Sequence, residues 1–219
     1  MFANEPEHYV RAFVLIQKDL QDIFEYVEPA DANICCYSYR IHALHMRTCI
    51  EIEANFKAIL VENGYSGPGD WNMKDYSKLE QTHKLSAYEC KLPVWRGVQH
   101  TRKPFSSWST GAKLSWYEAY NAAKHDRHDQ FPQANFNNLL DAICGLVALL
   151  SSQFHTWEFS PSPPRLALEG IGGPPQGFDS AIGEYFHVKF PTVWPAADQY
   201  DFDWPSMKSE PDPFDTLTF

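Results

Sequence analysis

The sequence predicts a mainly α-helical protein. A bundle of about four to five helices occupies residues 1–157, and an extended tail rich in Pro and aromatic residues, 158–219, packs on it. Three observations carry that expectation. Apolar residues recur at steps of three and four in three long windows, the period of a helix with one face on a core. Nine of the 18 residues from Ser160 to Gly177 are Pro or Gly, a composition that ends helical order and reads as a linker. Hydrophobic content of 44% and aromatic content of 15% supply enough apolar surface to offset chain entropy, so the chain folds.

The elements follow in order. Val10, Phe13, Ile16, Leu20, Phe24 and Val27 predict a helix from Tyr9 to Val27, stopped by Pro29. Ile41, Leu44, Ile52, Phe56 and Ile59 predict a longer one from Cys36 to Val61, which the Asn and Gly of "ENGYSGPGD" close. Between 70 and 110, one short helix is expected near Tyr76–Ala87, with Pro93, Gly97 and Pro104 marking loops. Helical character resumes over 113–128. The segment "FPQANFNNLLDAICGLVALLSSQFHTW" then places Phe136, Leu139, Leu140, Ile143, Val147, Leu150, Phe154 and Trp157 on one face. Its second half is nearly apolar, which predicts the buried centre of the bundle. Farther on, "EYFHVKF" alternates as a strand does.

The formal charge of −10 by itself argues against a nucleic-acid partner, since phosphate binding draws on clustered Lys and Arg. Residues 158–219 hold 3 Lys and Arg against 10 Asp and Glu, so much of the acidity belongs to the tail. From Lys74 to Arg127 the balance reverses to 10 basic against 5 acidic residues, joined by His83, His100 and His125. A basic zone of this kind keeps a polyanionic partner such as RNA in view, with the acidic tail a candidate internal cover for it or a docking segment for a protein partner. Five cysteines without a C-x-x-C spacing suggest neither a disulfide framework nor a zinc ribbon, and a reducing cytoplasm is the expected setting. "MFANEPEHYV" lacks an apolar signal core, and "AICGLVALL" is too short to span a bilayer, so no membrane partner is expected.

Two polar stripes interrupt this apolar pattern. In a helix over 113–128, Asn121, His125 and His128 fall on one face. In the second long helix, Arg40, Arg47 and Glu51 form another stripe, with Arg47–Glu51 and Glu53–Lys57 spaced for ion pairing. The segments "LHMRTCIEIEANFKAIL" and "WYEAYNAAKHDR", the second opening toward the apolar terminal helix, resemble the HEPN superfamily over about residues 8–157. That family comprises compact all-α bundles of prokaryotic toxin–antitoxin and phage-defence systems and of eukaryotic RNA processing. Many are metal-independent endoribonucleases acting as dimers, with an R-[N/H/D]-x(3–5)-H motif from each subunit at a shared cleft. Here Asn121 and His125 match the motif, and Tyr120 stands where the family carries arginine. A literal Arg-x4-His also occurs at Arg40–His45, earlier in the chain than the family places it.

The resemblance implies RNA as partner, a homodimer, no cofactor, and His125 as general acid or base with Asn121 orienting the substrate. Arg127 or Lys124 then supplies the positive charge that stabilises a phosphorane, with Lys124, His128, Arg47 and Arg40 as further phosphate contacts. Arg127 can share a site with His125 only if the helix ends there, and "HDRHDQFP" favours such a break. Two bland readings stand beside this one. Asn121, His125 and Arg127 can simply tie a helix end to its neighbour. Alternatively, His42/His45 and His125/His128 could each pair on a metal completed by Glu51 or Asp126, although the Glu-x-x-His pattern of di-iron bundles is absent. Gly67–Gly69 and Gly172–Gly173 lack the order of phosphate-binding loops, and no G-x-S-x-G elbow occurs. Two classes remain open: an endoribonuclease or its degenerate relative, and a non-catalytic module that binds RNA or protein.

Overall fold

The computed structural model describes residues 2–156 and 177–194. Helix α1 spans Pro6–Phe24, with Pro6 in its first turn, where a missing N–H costs nothing. It buries Val10, Phe13, Ile16, Leu20 and Ile23. It ends three residues before the sequence expectation, because Tyr26 and Val27 close the last turn onto the Ile23 carbonyl. Helix α2, Tyr39–Glu62, begins where the Ser38 hydroxyl accepts the Ile41 N–H at 3.2 Å and stops before Gly64, whose left-handed backbone (φ +70°) suits glycine.

The stretch predicted as one helix near 76–87 is instead two single turns, α3 (Met73–Tyr76) and α4 (Glu80–His83), joined and followed by 3₁₀ turns. Lys84 adopts φ 50° at the end of α4 and interrupts the helix there. Two strands that the sequence reading took for loop follow, β1 (Glu89–Lys91) and β2 (Thr101–Arg102). Helices α5 (Ser115–His125), α6 (Arg127–Gln130) and α7 (Phe136–Phe154) come next. The Asn135 side chain caps α7 by accepting the Asn138 N–H at 3.1 Å.

Helix α7 is the axis of the molecule, buried nearly all round and packed against α1, α2 and α5. A helix apolar on every side belongs at a centre, and the others arrange their single apolar faces around it. One polar link crosses this core: Gln153 donates to the Asn55 amide oxygen at 2.6 Å and accepts the Ala3 N–H at 2.9 Å, which fastens the N-terminus.

The strand expected in "EYFHVKF" is β4 (His187–Lys189), preceded by β3 (Asp179–Ser180). The sheet order is β2-β1-β4-β3, antiparallel throughout, with Cys90 opposite both Arg102 and Val188. Phe186 and Val188 are buried in the bundle core, so residues 177–194 pack on it. Trp157, the Pro- and Gly-rich stretch after it and the acidic segment from 195 onward lie outside the described residues. Among the described residues no helix is long and apolar enough to cross a membrane.

Candidate functional site

Helix α5 is held by its aromatic face. The Trp116 indole donates to the Pro104 carbonyl at 2.9 Å, and the Tyr117 hydroxyl donates to the Glu53 carboxylate of α2. The helix stops after His125 because Asp126 leaves the helical region (φ −136°, ψ 63°) and caps α6 instead, its carboxylate accepting the Asp129 N–H at 3.4 Å. Aspartate competes with helical hydrogen bonding in this way, and Pro132 blocks a long continuation. The break leaves Lys124, His125, Arg127 and His128 exposed within five residues. It also corrects the regular helix expected over 113–128: His128 belongs to α6, so it does not share the α5 face of Asn121 and His125.

Tyr120, at the position where the resembled family carries arginine, is a core residue, 1% exposed. Its ring meets His45 and Tyr117, and the Lys124 ammonium sits over it, 5.1 Å from the centroid. Asn121 is half-buried beside it.

The N-terminal half of α2 forms the facing wall. The buried, neutral His45 ring donates from Nε2 to the Trp116 carbonyl at 3.1 Å, while Nδ1 has no partner. Burial pushes this imidazole down to about 4, against the pull of that carbonyl. His42 is half-buried next to the Ala123 carbonyl; burial lowers its pKa, the carbonyl opposes this, and the nearby Arg127 charge adds to the lowering. Among the described residues no group of three or more His, Cys, Asp or Glu side chains is placed to hold a metal.

Phe131, in the turn after α6, gathers rings around this wall: Tyr37 at 5.5 Å, Tyr39 at 4.9 Å and His42 at 5.5 Å between centroids. Backbone bonds from Phe136 to Cys36 (2.7 Å) and from Asn137 to Ile34 (2.9 Å) hold the 34–37 loop against the start of α7. Tyr39 is 73% exposed, Tyr37 51% and Tyr26 75%, and these are the exposed aromatic residues among those described. The Arg40 guanidinium lies 5.7 Å from the Tyr26 ring.

Arg40 and Arg47 turn toward α1, where they line a groove of about 220 Å³ with Asp19 and Asp22. Arg47 pairs with Asp19 rather than Glu51, and Glu53 takes the Tyr117 hydroxyl rather than Lys57. The residues singled out in the sequence therefore fall into two groups. Asn121, Lys124, His125, Arg127 and His128 gather at the α5–α6 junction; Arg40 and Arg47 belong to the α1–α2 groove. The sequence reading weighed His42 only as a metal ligand and passed over Tyr37, Tyr39 and Phe131, whose one signal is aromatic residues without helical spacing beside polar ones.

No family model, curated protein or solved structure matches this chain. The chemistry of the site rests on its own geometry. Exposed cations beside exposed rings suit a strand of phosphodiesters carrying unstacked bases, and an exposed imidazole at their edge can move protons.

Proposed function

We propose that this chain binds single-stranded RNA at the α5–α6 junction. One observation carries the reading: the break at Asp126 leaves Lys124, His125, Arg127 and His128 exposed just ahead of Phe131, whose ring meets those of Tyr37 and Tyr39, while among the described residues the other aromatic rings apart from Tyr26 are largely inside. A flexible polyanion with splayed bases uses both halves of such a surface, the cations for phosphate and the rings for stacking. A duplex uses only the first.

Metal-independent cleavage of the bound strand, with the chain as a HEPN-like ribonuclease working as a homodimer, is the second reading. The exposed His125 imidazole, flanked by Asn121 and followed by Arg127 across the break, favours it. The family's arginine position, filled here by buried Tyr120, keeps it second, because Arg127 has to take over the phosphate role.

Fluorescence anisotropy with a labelled single-stranded RNA tests the first reading. Binding is expected to weaken with salt, and Lys124→Ala/Arg127→Ala is expected to lower the slope of log K against log salt by ~1.4, two contacts at about 0.7 each. Binding that ignores both salt and this double substitution sinks the proposal. Cleavage of the same RNA in EDTA that disappears in His125→Ala establishes the second reading, and intact RNA at every protein concentration removes it.

A further inference from the structure

At the opposite end of α5 lies a cleft of about 470 Å³ between β2, the start of α5 and α7. That volume is within the range of small-molecule sites, about 300–1,000 Å³. Arg102 of β2 forms its floor and is only 7% exposed. Nη1 of Arg102 donates to Asp141 at 2.6 Å and to the Asn137 amide oxygen at 3.0 Å, and both partners line the cleft. The Trp95 ring lies 5.5 Å from the guanidinium carbon. Nε and Nη2 have no hydrogen-bond partner. A guanidinium offers five donors in a fixed fork, so this one carries more donor capacity than its neighbours accept. A buried donor left without an acceptor is costly and calls for an explanation, a bound ion being one.

The wall opposite points to the same chemistry. Ser115 and Trp116, the first two residues of α5, line the cleft, and Leu114 before them has no side chain able to cap the helix. Intrahelical bonding starts at the Tyr117 and Glu118 amides, which share the Leu114 carbonyl, so the earlier amides are left for an external acceptor. Ser106 and Ser107 add hydroxyls to the rim. The one carboxylate lining the cleft, Asp141, is already engaged with Arg102, and Lys103 at the edge pairs with Glu89 at 2.9 Å. Apart from the Gln99 side-chain amide, which carries both a donor and an acceptor, the uncommitted side chains facing the α5 start are hydroxyls able to donate.

We infer that this cleft binds a phosphate-type oxyanion, seated between the Arg102 guanidinium and the start of α5 and contacted by Ser106, Ser107 and Ser115. The site is separate from the α5–α6 junction and does not depend on RNA binding there. Its volume exceeds what a bare ion needs, so the oxyanion belongs either to free phosphate or to a small phosphomonoester.

Isothermal titration of the full chain with inorganic phosphate and with glycerol 3-phosphate, against chloride at matched ionic strength, tests this. Saturable binding is expected for at least one probe; tighter binding of the ester assigns the remaining space to its organic part, and equal binding assigns the site to phosphate itself. Ser106→Glu places a carboxylate at the rim of an exposed turn and is expected to weaken binding at least tenfold. Ser115→Pro, tolerated at a first helical position, is expected to weaken it through loss of one amide and one hydroxyl. Ser109→Glu, on the same turn but outside the cleft, controls for charge alone and should remain within twofold. Heat signals no larger than those of chloride, or equal losses in Ser106→Glu and Ser109→Glu, overturn the inference.

Discussion

His45 shows how one side chain can make the bundle sensitive to acid. Its Nε2 is spent on the Trp116 carbonyl, and its bare Nδ1 faces the interior, so protonation would bury a charge and a donor without an acceptor. The folded-state value near 4 lies below the ordinary value of 6.5. The neutral ring therefore contributes fully above pH 6.5, and that contribution is lost as pH falls from 6.5 toward 4. Over that window the loss is about 3 kcal/mol. Urea unfolding at pH 7 and pH 4.5 should show most of it, and His45→Gln, able to keep a donor to the carbonyl, should flatten the difference. Asp31 works locally in the other direction: it accepts from the Trp95 indole at 2.7 Å and the Val98 amide at 2.8 Å, bonds that hold its carboxyl below the usual range. A β-carbon at Gly97 would come within 2.2 Å of that carboxylate, so the loop needs glycine there.

Among the elements, α7 depends most on how its first turn is closed. The Asn135 side chain satisfies one of four amides that have no intrahelical partner, and removing such a cap costs about 1 kcal/mol. Asn135→Ala is accordingly expected to lower the melting temperature by about 2–4 °C, measurable by circular dichroism, with helix content unchanged. The long helices were legible because each repeats its apolar residues over several turns: Ile41, Leu44, Ile52, Phe56 and Ile59 of α2 and the near-continuous run of α7 leave little room for another reading. The strands were not legible. Two or three residues cannot display an alternation, and β1 finds its partner β4 far along the chain. The junction at Asp126 stands between these cases. "HDRHDQFP" signalled a break, but nothing local told which neighbour α2 would turn each of its polar residues toward, so Arg47 went to Asp19 and His42 to the α5 end. The grouping of Tyr37 and Tyr39 with Phe131 is likewise set by packing between distant segments, not by spacing within one.

For the molecule as a whole, α5 links two surfaces of different character. Its last turn leads into the cationic and aromatic junction proposed to hold RNA, and its first turn forms part of the donor-lined cleft above Arg102. The core between them is the apolar barrel of helices around α7, in which Cys49, Cys90 and Cys144 are buried and free. The antiparallel pairing of β4 with β1, backed by Phe186 and Val188 in that core, is what attaches residues 177–194 to the bundle. That pairing predicts that the two parts stay together when the chain is cut between them, in 157–176. If a protease site engineered into that stretch is cut, the halves should co-elute as a single particle on gel filtration and part only in denaturant, much as a split reporter stays assembled; fragments that drift apart under native conditions would show the strand contact to be too weak to act as a clasp.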